Sequence, residues 1–352
     1  MTSGTAAIVE DGPVDLDRLQ LWMDSVGLES GPISSVTQLT GGTQNILLRF
    51  SRGDRQFIFR RPPLHPRPQS NKIMAREARI LAAFAGTDVP HPALIASCLD
   101  ESVLGAVFYL MEPVDGFNAT VALSAPARAS GSVRHRMGMG LVDGLAALAA
   151  VDHEGVGLGD FGRLDGFLER QVNRWASELE GYARFDQWSG HRELGDVGAV
   201  GAWLAARCPS SQVPGIIHGD YHVGNVIYDD NGALAAIVDW EMATLGDPLV
   251  DFGRLLVSWP EGDRPAPFWM RVERYDGFPT RDELIVRYHE RTGRDLGELA
   301  WFEILACYKL GIILEGTHAR AQSGLADPAT GERLHASAVA LLARARTIIA
   351  QA

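Results

Sequence analysis

His218-Gly219-Asp220 is followed by Asn225, five residues after the aspartate, and the segment VIYDDNGALAAIVDW then leads to Asp239. An Asp-Asn-Gly turn between two apolar runs predicts a hairpin. Such a hairpin folds the chain back so that Asp220, Asn225 and Asp239 converge on one point. Carboxylate and amide oxygens are hard ligands, suited to Mg²⁺ that keeps some of its waters and shares its site with phosphates. In phosphoryl transfer one aspartate receives the acceptor proton, while an asparagine and a second aspartate hold the ions that bridge the phosphates. Each of these residues alone is more often a turn or cap residue. Their order, spacing and intervening hairpin together favour the chemistry.

The elements that must position these residues fall into two textures. Residues 1–15 are small and acidic and read as a loose tail. Ile46, Leu48 and Phe50 alternate as in a half-buried strand, and Gly53-Asp54 suits a hairpin turn before a second strand, QFIFR. The proline-rich RPPLHPRPQSNK follows, then a helix from Ile73 to Phe84 with apolar residues at 73, 80, 81 and 84. GAVFYLMEPVDG reads as a buried strand leading into a hinge. Beyond Gly116 the pattern is helical around 136–151, 164–182, 197–207, 281–292, 301–315 and 333–351, with residues 216–241 as a β island. The expected division is a tail and leading helix (1–32), a β-rich lobe with hinge (33–115), and a helical lobe carrying the catalytic and metal-binding loops (116–352).

Composition bounds the alternatives. The 352 residues, 46% hydrophobic and 22% charged, are globular in character. A net charge of −12 argues against general nucleic-acid or anionic-membrane binding. The three scattered cysteines, the lack of a secretory leader and the absence of a long apolar run point to a reducing, cytoplasmic setting. None of the ten histidines forms HExxH or another recognisable ligand spacing, which disfavours a metallohydrolase.

HGDYHVGN followed by VDWE resembles the signature of the aminoglycoside phosphotransferase and choline kinase superfamily. The resemblance covers roughly residues 33–325. DWEMATLGDPLVDFGRLL, RRPP, DESVLGAVFYLMEPVDG and ILEGTHAR are similar to one branch, the kinase-like domains fused to acyl-CoA dehydrogenases and their stand-alone relatives. The resemblance implies an α+β, bilobal protein-kinase-like fold with a small β-rich N-lobe and a larger helical C-lobe. It implies an ATP- and Mg²⁺-dependent kinase acting on a small-molecule hydroxyl, with Asp220 as base and Asn225 and Asp239 as metal ligands. Gly41, Gly42, Thr43 and Asn45 would approach the phosphates, and Arg60, standing where kinases carry lysine, would clamp them with Glu77 as its helix partner. Glu112 and Val114 would offer backbone hydrogen bonds to adenine. His218 would brace the loop, whereas His222 reads as a surface loop residue. Tyr308, Glu315 and Arg320 read as helix packing and surface charge. The branch points to a hydroxy acid or hydroxyacyl-CoA as acceptor, with the arginines of RRPPLHPRP as a source of rim charge. An aminoglycoside, macrolide or choline-type kinase and a non-catalytic nucleotide-binding module remain alternatives, as a monomer or a homodimer.

Overall fold

In the computed structural model, which describes residues 14–39, 45–210, 212–261, 267 and 271–352, the chain forms two compact units. The first takes in the chain as far as Gly116 and, after a long excursion, Ala235–Glu241. It opens with α1 (Leu16–Ser25), capped by Asp15, whose side chain accepts from the Arg18 N–H. Five antiparallel strands follow: β1 (Ser34–Gln38), β2 (Ile46–Arg52), β3 (Arg55–Arg61), β4 (Leu94–Cys98) and β5 (Phe108–Met111), in the order β1-β2-β3-β5-β4. Burial alternates along β2, with Ile46, Leu48 and Phe50 inside, as the sequence pattern predicts. Arg52 faces Arg55 across the two-residue Gly53-Asp54 turn, where Gly53 has φ +56°.

One sheet face carries Leu48, Phe50, Phe57, Phe59 and Phe108, packed against Leu19 and Met23 of α1. Period two then sends Arg60, the neighbour of Phe59, to the opposite face. That side is covered by α2 (Ser70–Ala83), which packs on β4 and β5 and buries Met74, Glu77, Ala78, Ile80 and Leu81. The helix begins three residues before the expected Ile73, because its first turn, Ser70-Asn71-Lys72, is polar and leaves no apolar signature. A single turn, α3 (Glu101–Leu104), precedes β5.

The second unit, Phe117–Leu234 and Met242–Ala352, is mainly helical. Its helices are α4 (Ala125–Ala129), α5 (Gly131–Ala149), α6 (Phe167–Gly181), α7 (Val197–Ala206), α8 (Leu249–Ser258), α9 (Arg281–Thr292), α10 (Leu299–Gln322) and α11 (Pro328–Gln351). Short strands β6 (Gly215–Ile217) and β9 (Thr244–Gly246) pair antiparallel. β7 (Val226–Tyr228) precedes the Asp229–Gly232 turn, and β8 (Leu234–Ile237) then carries the chain back into the first unit. α10 is the axis: it packs on α6, α7, α8 and α11 and is buried along nearly its whole length. All ten residues of α8 are buried, including its polar face of Asp251, Arg254 and Ser258, so that face meets the loop of His218 to Asp220 and not water. The tail residues 1–13 lie outside the described residues. No described helix is long and apolar enough to cross a membrane.

Candidate active site

In the second unit, the loop from His218 to Asn225 leaves β6 and is tied down at almost every residue. Asp251, on α8, accepts from the backbone N–H groups of His218 (2.5 Å) and Gly219 (2.9 Å). The buried His218 ring accepts from the Asp220 N–H at 3.3 Å, so it braces the loop as the resemblance implies. Gly219 has φ +87°, and a Cβ there would lie 2.6 Å from the Met242 carbonyl oxygen. Only glycine fits that turn without strain. Lys309, deep in α10, donates to the Gly219 carbonyl at 2.6 Å.

These ties present Asp220 in a defined pose. Arg254 donates to its Oδ1 through Nε (3.1 Å) and Nη2 (2.9 Å). Its Oδ2 lies 3.5 Å from His222 Nε2. Burial would raise the Asp220 carboxyl, but Arg254, His222 and Lys309 overcome it and hold the group well below the usual carboxylate range. Burial also pushes the Lys309 ammonium down to about 8, although Asp220 and Asp251 oppose the shift. Asn225 donates its amide N–H to the Asp220 carbonyl at 2.9 Å, which leaves its Oδ1 as a donor atom for a cation.

The first unit gathers a second set. Arg60 reaches Glu77 at 3.0 Å (Nε to Oε2) and donates to Asp239 at 2.9 Å (Nη2 to Oδ1). Tyr109 donates its hydroxyl to Glu77 at 2.9 Å. Burial would lower the Arg60 guanidinium, but Glu77, Tyr109 and Asp239 more than offset this and hold it above its ordinary value. Glu77, 1% exposed, is pushed up to about 7 by burial, against the pull of Arg60. Asp239 has φ +68°, the left-handed region that non-glycine residues seldom occupy. Glu77, Asp239 and Glu241 also place one carboxylate oxygen each within 4.8 Å of one another. The oxygen donors of Asp239, Glu241 and Asn225 are of the kind Mg²⁺ requires. Asp239 enters this unit with its segment: Ile237 donates to the Pro90 carbonyl at 2.8 Å, and Trp240 packs on Phe84 with ring centroids 4.8 Å apart.

The other sequence candidates are distributed as follows. Gly41, Gly42 and Thr43 lie outside the described residues, and Asn45 immediately precedes β2. Glu112 donates its N–H to the Ala93 carbonyl at 2.9 Å and pairs through its side chain with Arg55, so only its C=O is left for a base. The Val114 N–H has no hydrogen bond among the described residues. His222 is not a surface residue: its side chain is 12% exposed, and its Nδ1 accepts from Gly224 N–H at 3.0 Å. Arg61 is no rim charge either, since it is buried and donates to the Leu104 carbonyl at 3.1 Å. Basic groups cluster elsewhere, around a cavity of about 440 Å³ lined by Arg163, Arg170, Arg174, Gln171, Ser177 and Thr244, with Phe167 and Asn173.

Arg254, Asp251 and Lys309 were not legible as functional residues. Their only signal is a charge set among apolar neighbours in DFGRLL and CYKLGI, a pattern that a snorkelling side chain also produces.

A small antiparallel sheet with a covering helix, a helical unit, and an aspartate-to-asparagine loop define a kinase-like phosphotransferase. Residues 35–287 match the phosphotransferase enzyme family, and the chain belongs to it. Acyl-CoA dehydrogenase family member 11 of Rattus norvegicus is 28% identical over 334 residues, covering 91% of this chain. The chain spans 41% of that relative's length. Family member 10 of Mus musculus is 26% identical, covering 86% of this chain and 28% of its own. Among solved structures, an aminoglycoside phosphotransferase-type protein from Ralstonia eutropha is 28% identical with a TM-score of 0.77, over 95% of this chain and 99% of that one. The GDP complex of aminoglycoside 2'-phosphotransferase-IIIa shares the fold at a TM-score of 0.62 and 18% identity, over 92% and 98% of the two chains.

Proposed function

We propose that the protein uses ATP and Mg²⁺ to phosphorylate the hydroxyl of an acidic acceptor, a hydroxyacyl-CoA or a free hydroxy acid. The carrying observation is Asp220, a carboxylate whose Oδ1 is taken up by Arg254 while Oδ2 has only the longer approach of His222. Oδ2 is then the atom that orients the acceptor hydroxyl and receives its proton as the new P–O bond forms. A carboxyl held so low is a weak base. That suits a loose phosphoryl transition state, in which the proton leaves late. Lys309 and Asp251 act as positioning residues, fixing the His218-Gly219 backbone that leads into the base. Arg60 carries the charge that steadies the nucleotide phosphates, and Glu77 keeps that guanidinium in place. Asn225 and Asp239 would hold Mg²⁺, which when bound neutralises phosphate charge. Asn45, the glycines before it, and the backbone of Glu112 and Val114 are assigned to the nucleotide.

The acidic acceptor rests on the arginine-lined cavity. Among the described residues Arg170 donates to the Arg163 carbonyl and Arg174 lies over the Trp175 ring, but neither meets a carboxylate, so their positive charge is not neutralised. Arg174 and Lys309 both stand over the Trp175 ring, at 4.9 and 5.6 Å from its centroid, which supports a link between the cavity and the lysine that holds the loop before the base. Cationic antibiotics or choline would meet like charge there. The acyl-CoA dehydrogenase relatives agree with a CoA thioester.

The test is incubation with ATP, Mg²⁺ and 4-hydroxyacyl-CoA or hydroxy acids, scored for mass gain of one phosphate. Asp220→Asn should lower turnover by about 10²–10⁴-fold, the usual contribution of a general base, and spare Mg·ATP affinity. Asp239→Asn should damage both. Nucleotide binding without transfer to any acceptor would establish a non-catalytic module instead, and phosphorylation of cationic acceptors alone would overturn the acidic assignment.

A further inference from the structure

α10 and α11 bring Glu315, His318 and His335 together, with one possible ligand atom from each lying within 4.8 Å of the others. Glu315 and His318 share one face of α10 at a spacing of three, and His335 arrives from α11, which is why linear histidine spacing does not reveal the group. Glu315 is fully buried, His318 is 4% exposed and His335 is 9% exposed. The two imidazoles stack with centroids 4.3 Å apart.

The hydrogen bonds around the three are uneven. Glu315 Oε1 accepts from Trp188 Nε1 at 2.8 Å, and Glu315 Oε2 lies 2.6 Å from His335 Nδ1. His335 Nε2 lies 3.0 Å from Glu193 Oε2. His318 Nδ1 is buried with no hydrogen-bond partner, and the exposed Glu332 carboxylate stands 4.0 Å from it. A buried imidazole nitrogen left without a partner is costly unless something else satisfies it.

We propose that Glu315, His318 and His335 bind a transition-metal ion of the Zn²⁺ class. Two imidazoles and one carboxylate are the donor set of many three-residue zinc sites, whereas Mg²⁺ prefers oxygen alone. The ion satisfies His318 Nδ1 and takes the place of the proton that Glu315 and His335 share. That proton goes to solvent, so binding weakens as pH falls. Glu193 then accepts from the outer nitrogen of His335, the carboxylate–histidine arrangement that orients metal-binding imidazoles. Water or Glu332 completes the coordination. Such an ion ties α10 to α11 and stands apart from the phosphotransfer residues, so its fate is independent of the function proposed above.

The experiment uses the full, tag-free chain, stripped with chelator and titrated with Zn²⁺ or Mg²⁺. Elemental analysis should find about one zinc per chain, and Zn²⁺ but not Mg²⁺ should raise the thermal midpoint. His318→Ala, which breaks no internal hydrogen bond at Nδ1, should lose the zinc while folding. Glu193→Gln should keep it with affinity weakened about 10–100-fold, the usual effect of losing an outer partner. A parent protein that takes up no zinc, or a folded His318→Ala that binds it as the parent does, overturns the proposal. If His318→Ala fails to fold, the parent titration decides alone.

Discussion

Replacing Arg254 with methionine keeps much of the buried stem and removes the guanidinium. Arg254 is 5% exposed, and the Asp220 side chain it holds is 38% exposed. Two charge-assisted bonds, at 2.9 and 3.1 Å, are lost from one oxygen. A hydrogen bond to a charged group is worth ~1.5–3 kcal/mol, and partial exposure screens it, so the expected cost at neutral pH is about 1–3 kcal/mol. The pH dependence separates charge from packing. Arg254 helps to hold the Asp220 carboxyl below its unfolded value of about 3.9. A carboxyl lowered in this way contributes stability that is present above the unfolded value and lost as pH falls towards the folded one. Without Arg254, burial is opposed only by His222 and Lys309. The gap between parent and variant should therefore be widest at neutral pH and narrow below about pH 4. Urea unfolding followed by tryptophan fluorescence from pH 7.5 to pH 3.5 measures it. A gap that stays constant over that range would refute the electrostatic role and leave Arg254 as packing.

Arg60→Ala should weaken nucleotide affinity by ~1.5–3 kcal/mol, the range for hydrogen bonds to charged groups, and Arg60→Lys should keep part of it; unchanged calorimetric affinity in both variants would remove Arg60 from the phosphates. The same alanine strands Glu77, which should then be protonated at neutral pH. An infrared carboxylic-acid band that is stronger in Arg60→Ala than in the parent, and vanishes on adding Glu77→Gln, checks this. Gly219→Ala should lower stability by about 1–3 kcal/mol, because its left-handed φ and the 2.6 Å approach to the Met242 oxygen both resist a Cβ. An unaltered thermal midpoint would contradict that.

What sequence could show depended on whether the signal was local. Strands β2 and β3 were legible because alternation and a Gly53-Asp54 turn are properties of neighbouring residues. The Asp220-to-Asn225 spacing was legible for the same reason, and the loop it belongs to is where the structure concentrates its hydrogen bonds. α8 was not, because it is only ten residues long and its polar face of Asp251, Arg254 and Ser258 is buried, where a solvated face is the usual expectation. His222 looked like a loop residue, and a loop can be buried when its backbone groups are satisfied internally, as this one's are by Asp251, His218 and Lys309. Arg61 was taken for rim charge because a run of basic residues resembles solvated surface, yet its guanidinium is spent on a backbone carbonyl. The arginines that do line a cavity, 163, 170 and 174, are spread along α6 and its approach, and show no cluster in the linear chain.

The return of Ala235–Glu241 to the first unit sets a condition on synthesis. A ribosome releases the five strands, α1 and α2 long before it reaches Asp239. Until it does, Arg60 lacks one of its two carboxylate partners and Phe84 lacks the Trp240 ring. The nascent unit must therefore wait, incomplete, while the intervening helices emerge. A fragment cut after Gly116 would stay in that waiting state for good. A circular permutant or a fusion carrying residues 235–241 behind a linker is the smallest piece that could close the unit's own core.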